Sequence, residues 1–128
     1  MAKTYRIYLT DDDRFLLDMY ALKFKAAGHD VSIFQNGGVL LSELRTKPAP
    51  DALLVDIVMP EIDGFDVLDA LKKENLGPTM KKIVLSNQGT DSDIEKAKQL
   101  GADGYIIKAS AIPSEVYTET IAIIEKSA

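Results

Sequence analysis

The 128-residue sequence contains no cysteine. That excludes disulfides and thiolate metal centres. No apolar run approaches the ~20 residues that a membrane-spanning helix needs, and the opening "MAKTYRIYL" lacks the apolar core of a secretory signal. Positive charge is in deficit. A formal net charge of −5 gives no electrostatic support to binding nucleic acid or an anionic membrane surface. Repeats, low-complexity tracts and Pro/Gly/Ser linkers are absent as well. The expectation is therefore one domain over residues 1–128, in the cytoplasm, long enough to bury roughly two-thirds of its unfolded surface.

What is present is an alternation of short apolar runs with helical patterns. Tyr5 to Thr10 reads as a strand. From Asp13 to Ala27, Phe15, Leu16, Met19, Leu22 and Ala26 recur at helical spacing, and Gly28 stands where a helix-ending glycine belongs. Asp30 to Phe34 is a second strand. "NGG" at Asn36 to Gly38 opens a second helix carrying Leu40, Leu41 and Leu44, which proline in "KPAPD" brings to an end. Ala52 to Val55 is continuously apolar, the mark of a strand covered on both faces. A helix with Phe65, Leu68 and Leu71 follows the loop "MPEIDG". Lys82 to Ser86 is a fourth strand, Ser92 to Leu100 a fourth helix, "YIIK" at Tyr105 to Lys108 a fifth strand, and Ser114 to Lys126 a fifth helix. Strands and helices in strict alternation imply an α/β fold, a parallel sheet with helices on both faces.

In such sheets ligands bind beyond the carboxyl ends of the strands, where the strand order reverses. Those ends carry Asp11, Asp12 and Asp13 after strand one, Asp56 after strand three, Ser86 on strand four and Lys108 on strand five. Three adjacent aspartates repel one another. A divalent cation offsets that repulsion, and hard carboxylate oxygens suit Mg²⁺. A carboxylate is also a nucleophile toward phosphorus. Phosphoryl transfer then needs positioning and neutralisation of the phosphoryl oxygens, which a cation, a lysine and a hydroxyl supply. Capping of a helix explains one of the three aspartates. His29, in the turn after Gly28 and away from these ends, reads as a surface residue.

"YRIYLTDDD", "PDALLVDIVMPEIDGFDVL", "KIVLS" and "GADGYIIK" together resemble the receiver domains of two-component response regulators, over essentially the whole chain. The resemblance implies a doubly wound, flavodoxin-like fold with five parallel strands in the order 2-1-3-4-5. It implies Asp56 as phosphoacceptor and Mg²⁺ held by Asp12 directly, by Asp11 largely through water, by Asp56 and by the backbone carbonyl of Val58. Ser86 then corresponds to the switch hydroxyl, Lys108 to the lysine that pairs with the phosphoryl group, and Tyr105 to the aromatic switch. The implied partners are a histidine kinase or a histidine phosphotransfer protein upstream and an unidentified target downstream. The implied activity is a signalling switch with self-catalysed phosphorylation and dephosphorylation, read out on the surface of the fourth helix, fifth strand and fifth helix.

Two positions depart from that pattern. Ala109 follows Lys108 where the family usually has a cis proline. A cis bond without proline costs roughly 3–4 kcal/mol, so the Lys108–Ala109 bond is expected to be trans. Asn87 follows Ser86 where a small residue is usual, and altered dephosphorylation kinetics are expected. Other uses of the same residues fit less well. A haloacid-dehalogenase phosphatase would use the Asp-x-Asp of Asp11 and Asp13 but wants Thr or Val where Phe15 stands. A flavodoxin-like electron carrier would have its phosphate repelled by Asp11 to Asp13. A degenerate receiver that only binds partners would have no use for the intact acidic pair.

Overall fold

A computed structural model describes residues 3–87 and 89–126. The elements run β1 Arg6–Thr10, α1 Arg14–Ala26, β2 Asp30–Phe34, α2 Gly37–Thr46, β3 Ala52–Val55, α3 Gly64–Lys73, β4 Lys81–Ser86, α4 Asp91–Gln99, β5 Gly104–Ile107 and α5 Pro113–Glu125. The sheet is parallel, in the order β2-β1-β3-β4-β5. Every expected element forms, within one residue of its expected ends. The extra piece is a single 3₁₀ turn at Lys108–Ser110. The peptide bonds there are trans, as Ala109 leads one to expect.

Local chemistry starts the helices. Asp13, Asn36, Asp63 and Thr90 each accept the backbone N–H three residues on, at 3.2, 2.9, 2.8 and 3.1 Å. Asp66 reaches back to the Asp63 N–H at 3.0 Å, closing a capping box on α3. In α5 the Glu115 carboxylate accepts the Ile112 N–H at 3.0 Å, and Pro113 occupies the first helical position.

Strand pleating divides the core. Ile7 and Leu9 of β1 pack with Leu17 and Phe24 of α1 and Val116 of α5 on one face. Tyr8, Leu53 and Val55 pack with Leu40 and Leu44 of α2 and Val67 and Leu71 of α3 on the other. α4 closes that second face, yet Ala97 is its sole fully buried residue.

Helical spacing left the buried face of α1 open, and one sequence expectation fails. The residues α1 buries are Leu17, Tyr20, Ala21 and Phe24, whereas Phe15 is 73% exposed and Leu22 70%. Both stripes have helical spacing. The Asp13 cap and the exit of the chain from β1 set the helix phase, and α5 selects the stripe that faces inward. His29 is buried, not on the surface. Gly28, at φ +94°, turns the chain back under the sheet, and the His29 N–H bonds the Phe24 carbonyl at 3.2 Å. The imidazole then stacks on Tyr5, its Nδ1 accepts the Tyr5 N–H at 3.0 Å, and its Nε2 lies 3.1 Å from the Tyr117 hydroxyl.

Leu17→Ala is expected to cost about 3 kcal/mol of stability, and Leu22→Ala less than about 0.5 kcal/mol, in urea unfolding. The reverse ranking would mean that the other stripe of α1 is the buried one.

Candidate functional site

Strand register assembles the site. Thr10 pairs with Val55, so Asp11 and Asp56 emerge side by side, and the Asp56 N–H donates to the Thr10 carbonyl at 3.0 Å. Ser86 pairs with Ile107, so Lys108 emerges next to Ser86. Asp11, Asp56 and Ser86 are buried at 3, 6 and 0% exposure, whereas Asp12 is exposed. Together with Val58 and Lys108 they line a cleft of about 310 Å³.

The loop after β3 is drawn tightly over its own strand. The Gly64 N–H donates to the Ile57 carbonyl at 2.9 Å. A Cβ on Gly64 would lie 2.4 Å from the Asp56 carbonyl oxygen, so only glycine lets the start of α3 approach this closely. Glu61, at φ 65°, takes the left-handed corner of the same loop. Asp56 Oδ1 faces the Val58 N–H at 3.4 Å, and Asp11 Oδ1 accepts the Asp13 N–H at 2.9 Å.

The Lys108 ammonium bridges the two carboxylates, donating to Asp11 Oδ2 and, at 3.1 Å, to Asp56 Oδ2. Both ion pairs are nearly shut off from water, with side-chain exposures of 5–9%. Burial pushes the Asp11 carboxyl up, against the lowering pull of Lys108 and of the Asp13 N–H. Burial opposes charge on Lys108 too, but the Asp11 hydrogen bond and the two carboxylates outweigh it and hold the ammonium above its ordinary range. Both shifts keep protons in the cluster.

One carboxylate oxygen each from Asp11, Asp12 and Asp56 lies within 4.8 Å of the others, a spacing and donor set suited to a hard divalent cation. Tyr105 does not line the cleft. It is half-buried against α4, and desolvation raises its pKa, with Ser86 near enough to oppose that in part. Asn87, exposed, lines the cleft. Sequence reasoning missed Tyr20, buried on α1 within the electrostatic reach of Lys108, Asp11 and Asp56; burial raises its pKa. Its position seven residues after Asp13, two helical turns, was the available signal.

A family profile described as a response regulator receiver domain matches residues 7–116. The chain belongs to that family. Among curated proteins, the receiver is 32% identical over 104 residues to the DNA-binding response regulator MtrA of Mycolicibacterium paratuberculosis, covering 80% of this chain and 44% of the relative. It is 28% identical over 103 residues to the transcriptional regulator RpaA of Synechocystis, covering 80% and 42%. The chain thus spans less than half the length of these relatives. The CheY-like receiver domain protein of Methanospirillum hungatei superposes with a TM-score of 0.87 at 25% identity, covering 97% of this chain and 96% of that one. Vibrio cholerae CheY4, at 18% identity and a TM-score of 0.85 over 94% of this chain and 99% of its own, shares the fold. As a response regulator receiver, the chain is a module of two-component, phosphoacceptor signalling. Among the described residues no helix is long and apolar enough to cross a membrane.

Removing the Lys108 charge leaves two buried carboxylates facing each other. Lys108→Met is therefore expected to lose stability at about pH 7 and to recover part of the loss toward about pH 5. The sign follows from Asp11. Without Lys108 its folded-state pKa lies still further above the unfolded value, so folding takes up a proton as the pH falls. The native Lys108 contribution, from a raised pKa, is complete at pH 7 and is lost only above the ordinary lysine range. Parallel stability–pH curves for the two proteins, measured by urea unfolding, would contradict this assignment.

Proposed function

We propose that this receiver, residues 1–128 acting as one unit, accepts a phosphoryl group on Asp56 from a histidine kinase or a histidine phosphotransfer protein in the cytoplasm. The observation that carries the reading is the clustering of Asp11, Asp12 and Asp56 within 4.8 Å, with Lys108 bridging two of them at the carboxyl ends of a parallel sheet. An Asp56 carboxylate oxygen attacks phosphorus. The P–O bond forms as the P–N bond to the donor imidazole breaks, and the imidazole keeps the electron pair and is protonated. Lys108 faces the new phosphoryl oxygens as an ion-pair partner, and Ser86 donates its hydroxyl to them. Asp11, Asp12, Asp56 and the Val58 carbonyl would hold Mg²⁺. Bound there, the ion neutralises phosphoryl charge. Water then hydrolyses the acyl phosphate within the same cleft, so catalysis by the chain is confined to its own phosphorylation and dephosphorylation.

The rim suits a helical phosphodonor. Phe15, Met19 and Leu22 form an exposed apolar stripe that starts in the first turn after the acidic cluster, and Val58 and Ile112 add exposed apolar side chains on neighbouring loops. The readout runs through Ser86. Phosphorylation adds roughly 1.5–2 negative charges and gives the Ser86 hydroxyl a new, negatively charged acceptor. Tyr105 packs beside α4, which Ala97 alone anchors by full burial. That helix is the element whose position costs least to change, and the surface of α4, β5 and α5 carries the signal.

Intact-mass spectrometry after incubation with a small phosphodonor tests the reading. One phosphate adduct is expected, dependent on Mg²⁺, abolished by chelator and absent in Asp56→Asn. Folded protein that binds Mg²⁺ yet takes no adduct would overturn it. Asn87→Ala is expected to change the adduct's lifetime, because the exposed Asn87 lines the cleft beside Ser86; equal lifetimes would remove Asn87 from the mechanism.

A further inference from the structure

Lys108 has far to reach. It follows β5, and the sheet order sets β4 between β5 and β3, and β3 between β4 and β1. Its four-carbon stem must carry the ammonium across β4 to Asp56 and on to Asp11. A stem of that length loses rotamer freedom when it is held in one geometry. The family's proline does not follow it here. The 3₁₀ turn at Lys108–Ser110 takes that place, closed by the Ala111 N–H on the Lys108 carbonyl at 3.2 Å. Ala109 and Ala111 bring only methyl groups to this turn. Yet the Lys108 side chain is 7% exposed, so larger groups shield it.

Tyr20 on α1 is placed to be one of them. Continued by one residue, the pleat of β5 puts Lys108 on the same face as Ile106. Ile106, Tyr20 and Ala111 belong to one apolar cluster under α1 and α5. Leu16 lines the acidic cleft, and Tyr20 stands one helical turn further along the same face. Side chains on a helix lean toward its N-terminus, which for α1 is the acidic end. The Tyr20 ring therefore leans toward the cleft. It is 4% exposed, and of the four residues that α1 buries it alone carries a polar side-chain atom. Of the charged groups around its phenol, Lys108 acts on it most strongly, ahead of Asp11 and Asp56.

We propose that Tyr20 is a positioning residue for phosphoryl transfer. Its ring walls the Lys108 stem from the α1 side and fixes the ammonium between Asp11 and Asp56. It touches neither phosphoryl group nor cation and acts through Lys108 alone. A side chain on α1 thus supplies the restraint that Ala109 does not. The kinetic role rests on the phosphoacceptor reading; the contact between Tyr20 and Lys108 does not.

The test is a double-mutant cycle on the whole chain. Wild type, Tyr20→Leu, Tyr20→Phe, Lys108→Met and the pair Tyr20→Leu with Lys108→Met are compared. Phosphate uptake from acetyl phosphate is timed by intact mass at saturating Mg²⁺, and Mg²⁺ affinity is measured by calorimetry. Tyr20→Leu is expected to slow uptake roughly tenfold and to leave Mg²⁺ affinity unchanged, because the three aspartates stay in place. Tyr20→Phe keeps the ring and is expected to stay within about twofold of wild type. In the Lys108→Met background, Tyr20→Leu is expected to slow uptake no further. A side chain that only fills the core would give the same loss with and without Lys108. Equal losses in both backgrounds, a Mg²⁺ affinity that falls with the rate, or Tyr20→Leu at the wild-type rate overturns the proposal. Urea unfolding of the same set runs alongside, and it decides the coupling where Lys108→Met takes up too little phosphate to time. There Tyr20→Leu is expected to lower the midpoint less when Lys108 is absent. Uptake by wild type with additive losses removes Tyr20 from the mechanism and leaves the phosphoacceptor. No uptake by wild type, with non-additive midpoints, removes the phosphoacceptor and leaves the contact between Tyr20 and Lys108. No uptake and additive midpoints remove both.

Discussion

Two buried carboxylates side by side at the end of a sheet need a positive charge between them. Lys108 supplies it, bonded at once to Asp11 and Asp56. Unpaired, each carboxylate would lose solvation and repel its neighbour, and the sheet edge would pull apart or take up protons. The elements around the site maintain this arrangement. β1 and β3 must pair in the register that sets Thr10 against Val55. β5 must lie beside β4 so that Lys108 arrives next to Ser86. Gly64 must lack a Cβ so that α3 can begin against the Asp56 carbonyl.

The same charge balance makes the site responsive. A cluster held by one ammonium and three carboxylates is reset by any ligand that changes its charge. Strands β1, β3 and β4 are buried on both faces. α4 is anchored far less deeply, because Ala97 is all it fully buries. On the proposed reading, a rigid floor and one loosely held helix are the parts a two-state switch would use.

Apolar surface is distributed to match. α1 has two apolar stripes, one spent on the core and the other left at the rim of the acidic cleft. On the far edge, β5 and α5 enclose a groove whose charge is entirely negative. These two surfaces are thus separate in space and different in chemistry. The opposite end of the sheet offers a larger depression of about 870 Å³ near Tyr5, but there Asp51 and Asp103 bond the N–H groups of Arg6 and Lys82, and the Lys82 ammonium bonds loop carbonyls. Asp51 and Asp103 are thus occupied in starting β1 and β4.

The amino-acid sequence alone determined the alternation of strands and helices, because hydrophobic period, caps and turn glycines act over a few residues. It also determined which side chains stand at the strand ends, since a parallel α/β sheet puts all those ends on one edge. The order of the strands came from resemblance, because no local pattern encodes which strands become neighbours. Tertiary structure decided the rest. Which stripe of α1 faces the core depended on α5, far away in the chain, since Leu17 and Leu22 are equally apolar and equally periodic. His29 became buried because Tyr5 and Tyr117, distant in sequence, close around it. That Lys108 bridges Asp11 and Asp56 required residues 97 and 52 positions apart to meet. Spacing along a chain fixes what a local segment presents; which partner it meets is settled only when the whole core closes.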